Sequence, residues 1–245
     1  MAGRLRWQTG RVVAIREETP SSKTILFDVP GWPGHLAGQH VDLRLTAEDG
    51  YSAERSYSIA GPVDGERVEL TVQRVPNGEV STYLVDDLRV GDELELRGPI
   101  GGWFVWRVEE LLPVLLVAGG SGVVPLMAMV RERARTGGVA PFTFVYSARS
   151  AAEVYYADEL AGRARDDDGL TVSLVYTRSA PAGSHRPAGR IGQSDPDDLG
   201  WKPGAEGRVY VCGPTGFVEA VVGMMLDRGH DPSTIRTERF GPTGG

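Results

Sequence analysis

One cysteine, Cys212, occurs in 245 residues. A lone cysteine forms no internal disulfide, and it holds neither an iron–sulfur cluster nor a structural zinc. Electron carriage by a cluster within this chain is therefore excluded. The four histidines, His35, His40, His185 and His230, are scattered without HExxH-type spacing, so no metal site is expected. A basic excess is also missing: 26 Lys and Arg stand against 33 Asp and Glu, a net charge of −7. That composition argues against a nucleic-acid binder, which usually shows a basic face. Long apolar runs are absent too. The longest centres on Val114–Ala118, far short of a bilayer span. The opening MAGRLRWQTG lacks the apolar stretch of a signal peptide. A cytoplasmic protein with no membrane or nucleic-acid partner, monomeric by default, is the expectation.

Hydrophobic residues make up 41% of the chain, enough for packed cores. The first hundred residues read as short strands: Arg11–Ile15, Thr24–Val29, His40–Leu45, Arg67–Arg74 and Asp92–Leu96. Gly, Pro, Asn and Asp punctuate them, a pattern that predicts a barrel or a sandwich. One helix is expected there, over Ser81–Leu88. After residue 106 the pattern changes. Pro113–Ala118 is a continuous apolar run, suited to a parallel strand covered on both faces. Strands at Phe142–Tyr146, Leu170–Tyr176 and Arg208–Cys212 alternate with helices ending near Arg135, over Ala152–Arg165 and over Thr215–Arg228. The alternation predicts a parallel α/β sheet. Two domains are expected, over residues 1–106 and 111–245. Thr177–Arg190, rich in Pro, Gly, Ser and Arg, reads as a surface loop.

Four motifs carry chemistry. GGSGVVP at 119–125 follows a strand and opens a helix, where free N–H groups and the helix dipole favour an anion. It departs from the Rossmann fingerprint: Pro125 replaces the third glycine, and Tyr146-Ser147-Ala148-Arg149 lacks the acid that binds a ribose 2′-OH. CGPTG at 212–216 lets backbone approach a flat ligand, although a lone strand-end cysteine is more often a small buried hydrophobe. RSYS at 55–58 puts a cation, an aromatic ring and a hydroxyl on one segment. If extended, it places Arg55 and Tyr57 on one face and Ser56 and Ser58 on the other. GEVS at 78–81 precedes the expected helix, and its N–H groups and Ser81 could cap that helix or hold a phosphate. GPIGGWF at 98–104 reads as a turn that closes the first domain.

In this order, with ERFGPTGG near the end, the motifs resemble the ferredoxin–NADP reductase superfamily over essentially the whole chain. The resemblance implies an antiparallel six-stranded Greek-key flavin barrel followed by an α/β nucleotide-binding domain, with no iron–sulfur domain. It implies that Arg55 pairs with flavin phosphates, that Tyr57 packs on the isoalloxazine, and that Ser58 hydrogen-bonds near flavin N5. Val72, Gln73 and Arg74 would border the flavin, and Gly78, Val80, Ser81 and Thr82 would form its pyrophosphate turn. Gly120, Gly122 and Pro125 would lie beside the nicotinamide nucleotide, with Cys212, Gly213 and Pro214 near the nicotinamide. Glu238 and Phe240 would approach the flavin. Ser58, Cys212 and Glu238 are the catalytic candidates.

The expected cofactor is FAD rather than FMN. A 2′-phosphate is recognised by hydroxyls and arginines. Thr177-Arg178 matches the family's Ser-Arg pair, with Arg149 and Arg186 as possible assistants, so NADPH is favoured over NADH. The implied activity is hydride transfer from NADPH to bound FAD, with electrons passed on to a separate redox protein such as a ferredoxin or another metalloprotein. A free-flavin reductase is the alternative enzyme, and a cluster-free electron-transfer subunit of a larger complex is the alternative of another class.

Overall fold

The computed structural model describes residues 5–47, 49–184 and 186–241. The chain divides into two units. One comprises the residues up to Arg107 together with Met127–Arg135, and the other comprises Val108–Leu126 and the residues from Thr136 onward.

Six antiparallel strands build the first unit: β1 (Trp7–Thr19), β2 (Ser22–Asp28), β3 (His40–Thr46), β4 (Ser52–Ser58), β5 (Arg67–Gln73) and β6 (Glu93–Ile100). Their order across the sheet is β4-β3-β6-β1-β2-β5. Alternation decides what each strand buries. Ile25 and Phe27 of β2 and Val68, Leu70 and Val72 of β5 are fully buried in one apolar core. Beyond β4 the chain bridges β5 at Ile59–Leu70, and the Ala60 N–H donates to the Glu69 carbonyl at 2.8 Å. The two edge strands therefore close the sheet on itself at that end, which makes it a barrel rather than a sandwich. The expected helix is present but starts earlier. Helix α1 (Glu79–Thr82) runs on into a π-helical turn over Tyr83–Asp87, which plugs the core with Leu84 and Val85.

The second unit holds a parallel sheet of β7 (Val114–Gly119), β8 (Phe142–Ser150), β9 (Leu170–Ser179), β10 (Arg208–Pro214) and β11 (Ile235–Phe240), ordered β11-β10-β7-β8-β9. Every residue of the central strand β7 is buried, as its unbroken apolar run requires. Helices α2 (Val123–Thr136), α3 (Ala157–Asp166), α4 (Ser194–Asp198) and α5 (Thr215–Asp227) connect the strands.

Three features differ from the sequence expectation. The helix expected over Ala152–Arg165 is broken. A single turn at Ala151–Glu153 is followed by Tyr156 in the left-handed conformation, φ 56°. Val154, Tyr155 and Tyr156 are all buried, and the Tyr155 N–H donates to the Tyr146 hydroxyl at 3.2 Å. Core packing of three bulky residues thus overrides helix continuity. Strand β11 is an added edge strand, and α4 lies in a stretch that carried no assignment.

Among the described residues no helix is long and apolar enough to cross a membrane, and no cluster of His, Cys, Asp and Glu could hold a metal ion. His185 lies outside the described residues.

Candidate functional site

The first unit gathers candidate residues along the seam between its two edge strands. Register places Tyr57 opposite Val41 and Arg55 opposite Leu43, while Ser58 and Ser56 lie opposite His40 and Asp42. Arg55 and Tyr57 therefore share a face, as alternation requires. Tyr57 is half-buried against the barrel core. Burial raises its phenol pKa, an effect that Arg55 partly offsets. Arg55 is exposed and donates to its neighbour's carbonyl at Glu54, 2.6 Å away. It makes no ion pair among the described residues. Ser58 is buried, and its Oγ has no hydrogen-bond partner. A buried hydroxyl left unsatisfied costs about 1–3 kcal/mol, so its orphan oxygen marks a place where a polar ligand atom fits.

Across the seam on β5, the Val72 side chain is fully buried in the core. Gln73 is half-buried at the end of the strand. Arg74 is paired with Asp86 at 3.1 Å. The turn that follows places Gly78 at the N-cap of α1 without a side-chain cap. Ser81 does not cap that helix. Its hydroxyl accepts from the Val75 N–H at 3.1 Å and donates to the Gly78 carbonyl at 3.3 Å, which shapes the turn. A Cβ on Gly78 would lie 2.7 Å from that hydroxyl oxygen, so a side chain there would displace the Ser81 hydroxyl that shapes the turn. Val80 is buried, and Thr82 ends α1. Tyr51 donates to Glu79 at 3.1 Å, which ties α1 to the start of β4.

In the second unit the two glycine motifs pack on each other. A Cβ at Gly122 would overlap the Cys212 carbonyl, and one at Gly119 would lie 2.7 Å from the Phe217 ring. One at Gly213 would lie 2.9 Å from the same ring and 3.0 Å from the Gly119 carbonyl oxygen. Gly120 has φ 56°, which glycine adopts without steric cost. Pro125 sits in the first turn of α2, where a missing N–H breaks no helical bond. Pro214 is the N-cap of α5.

Cys212 and Glu238 are paired in register on β10 and β11, and Pro214 is paired with Phe240. Cys212 is fully buried. Burial and the Glu238 carboxyl both raise its thiol pKa well above the ordinary range, against a smaller opposing effect of the Gly213 backbone. It is a protonated thiol. Burial also pushes the Glu238 carboxyl up to about 7, and its Oε2 is buried with no hydrogen-bond partner. This carboxyl can hold a proton at neutral pH.

A groove of about 770 Å³ opens between the carboxyl ends of β8 and β9 and helix α5, with Ser147, Thr177, Arg190, Ile191, Gln193 and Phe217 among its lining. The Thr177 hydroxyl reaches the Ala148 carbonyl at 3.4 Å. Arg178 is exposed beside it. Arg149 is exposed and lies 3.6 Å from Glu153. Arg186 is not free to bind an anion, because it pairs with the buried carboxylate of Asp195. Arg190 is the residue that sequence reasoning missed. The sequence reads it as the end of a surface loop, yet it lines the groove.

Residues 10–105 match the oxidoreductase FAD-binding domain family, and residues 116–223 match the oxidoreductase NAD-binding domain family. The ferredoxin–NAD(P)+ reductase component of the naphthalene 1,2-dioxygenase and salicylate 5-hydroxylase systems of Ralstonia sp. is 30% identical over 96% of this chain and 69% of that protein. The reductase component of the propane 2-monooxygenase of Gordonia sp. strain TY-5 is 33% identical over 88% of this chain and 62% of its own length. The crystal structure of an Amycolatopsis cytochrome P450 reductase superposes with a TM-score of 0.84 at 27% identity, covering 98% of this chain and 71% of that one. The fold is therefore that of a two-domain oxidoreductase with an FAD-binding and an NAD(P)-binding domain. The chain belongs to the ferredoxin reductase-like superfamily.

Proposed function

We propose that this chain takes electrons from NADPH and delivers them through FAD to a separate iron–sulfur or other metal-containing redox protein. The edge strand β4 supports this reading most directly, since it carries Arg55, Tyr57 and the unsatisfied Ser58 hydroxyl within four residues beside the seam with β5. When bound, a flavin accepts two electrons as a hydride from a reduced nicotinamide and releases them one at a time.

Each residue's task follows from its chemistry. Arg55 is the unpaired cation for the flavin phosphates, and the turn at Gly78–Thr82 offers backbone N–H groups to the same anions. Tyr57 presents a ring face for stacking. Ser58 offers a hydrogen bond at the reactive edge of the ring system. Glu238 stores a proton at neutral pH, and Cys212 packs beside it as a neutral thiol. Thr177, Arg178 and Arg190 supply a hydroxyl and two cations for a 2′-phosphate, which supports NADPH over NADH. The one cysteine of these 245 residues cannot itself hold a cluster, so the acceptor lies outside them. The relatives named above are reductase components of oxygenase systems.

The test is the visible spectrum of the purified protein, followed by anaerobic addition of NADPH and of NADH. A bound flavin that NADPH bleaches faster than NADH is expected, and Arg178→Ala should narrow that ratio about tenfold. Absence of both bound flavin and bleaching refutes the proposal.

A further inference from the structure

The groove at the ends of β8 and β9 has two unlike walls. One is helix α5, contributing Phe217, Ala220 and Met224. The other is the short segment Arg190–Gln193, which belongs to no strand and precedes only the five-residue helix α4. What fixes that second wall is a set of charged side chains outside the groove. Asp195, 5% exposed, accepts from the Gly192 N–H at 2.6 Å and pairs with Arg186, which also donates to the Arg190 carbonyl at 3.1 Å. Arg228 stands just past the last turn of α5 with its side chain 4% exposed. Its guanidinium donates to Asp197 of α4 at 2.5 and 3.0 Å, to the Gln193 carbonyl at 2.6 Å and to the Trp201 carbonyl at 3.1 Å. One side chain rooted at the end of the first wall thus grips the second. Neither Arg228, Asp195 nor Asp197 lines the groove.

We propose that Arg228, with Asp197 and Asp195, is a positioning clamp that sets the width of this groove, and thereby the affinity for the pyridine nucleotide, without touching it. The inference rests on the reading that the groove takes the nucleotide. A rigid planar fork bonded to a carboxylate and two carbonyls fixes a loop more tightly than a single point charge does. Misplacing Gln193 and Arg190 removes contacts that ground state and transition state share. The loss then falls on KM and leaves kcat.

The experiment uses FAD-loaded protein and two readouts: the Kd of NADP+ by calorimetry, and KM and kcat for NADPH with an artificial dye acceptor. Asp197→Ala and Arg228→Met should each raise Kd and KM about tenfold, with kcat within about twofold and the flavin spectrum unchanged. Asp197→Glu should restore binding to within about threefold, and the double variant should be no weaker than Arg228→Met alone, since that variant has already lost the Asp197 contact. Arg190→Ala reports on the groove itself. If Arg190→Ala weakens NADP+ while Asp197→Ala leaves Kd unchanged, the clamp is refuted and the groove reading stands. If neither changes Kd, the nucleotide does not occupy the groove and both fall. Should Arg228→Met fail to fold, Asp197→Ala, whose side chain is one-third exposed (33%), decides the matter. A fall in kcat with unchanged Kd also overturns the proposal.

Discussion

Replacing Glu238 by glutamine separates the cost of a buried charge from the benefit of a stored proton. The carboxyl rises from 4.5 to about 7 because burial opposes its ionisation, and Oε2 finds no donor to compensate. Below pH 4.5 the group is protonated in both folded and unfolded chains and has no effect on stability. As pH climbs from 4.5 to about 7, the unfolded chain releases this proton while the folded chain keeps it, so stability declines across that window. Above 7 the decline is complete. At about 1.4 kcal/mol for each tenfold change in proton affinity, the ceiling is about 3 kcal/mol. Partial exposure of the residue lowers the expectation to about 1–2 kcal/mol. Glutamine matches the shape and never ionises. Glu238→Gln should therefore melt about 4 °C higher than the parent at pH 8 and within about 1 °C of it at pH 5. Calorimetry of the FAD-loaded protein at both pH values provides the check. An equal difference at the two pH values, or a less stable variant at pH 8, would show that burial does not raise the Glu238 pKa.

Other substitutions probe separate links. Ser58→Ala should retain flavin yet slow its reduction by NADPH about tenfold or more; stopped-flow rates equal to the parent's would remove the hydroxyl from the reaction. Gly122→Ala forces a methyl into the Cys212 carbonyl and should cost about 3 kcal/mol in thermal unfolding. Gly120→Ala meets only its left-handed backbone, with nothing within 4 Å of the new methyl, and should cost about 1 kcal/mol. Equal losses at the two positions would contradict the packing of the motifs. His35 accepts from the Trp32 indole at 3.1 Å, and burial lowers its pKa below 6.5. The folded barrel then resists a proton that the unfolded chain accepts, so stability falls as pH drops below 6.5. His35→Gln should flatten melting temperature against pH between 6.5 and 5, and an unchanged slope would show that the folded imidazole titrates normally.

The glycine motifs were legible in the sequence because their constraint is local. Gly119, Gly122 and Gly213 touch backbone or the Phe217 ring where any Cβ would collide, so their spacing carries the geometry with it. The apolar run of β7 was equally plain, since a central parallel strand has no solvent face to record. Strand β11 was not. Ile235–Phe240 carries three charged residues in six, and its strand character comes from pairing with β10 rather than from any pattern of its own. The broken helix at Val154–Tyr156 failed for a related reason: aromatic burial decided the backbone, and burial is a tertiary fact. Arg186 and Arg190 look alike in a loop rich in small and charged residues. Only the buried carboxylate of Asp195 separates the arginine that is consumed structurally from the one that faces the groove.

The sealed thiol of Cys212 turns the protein into its own single-site reporter. An alkylating reagent needs both access and a thiolate, and the folded sheet denies both. Modification at this position must therefore wait for β11 to peel from β10 or for the unit to unfold. With one sulfhydryl in the whole chain, mass addition per molecule counts opening events directly, without engineered labels. Labelling rates with and without bound nucleotide would then measure how firmly ligand holds that sheet edge shut.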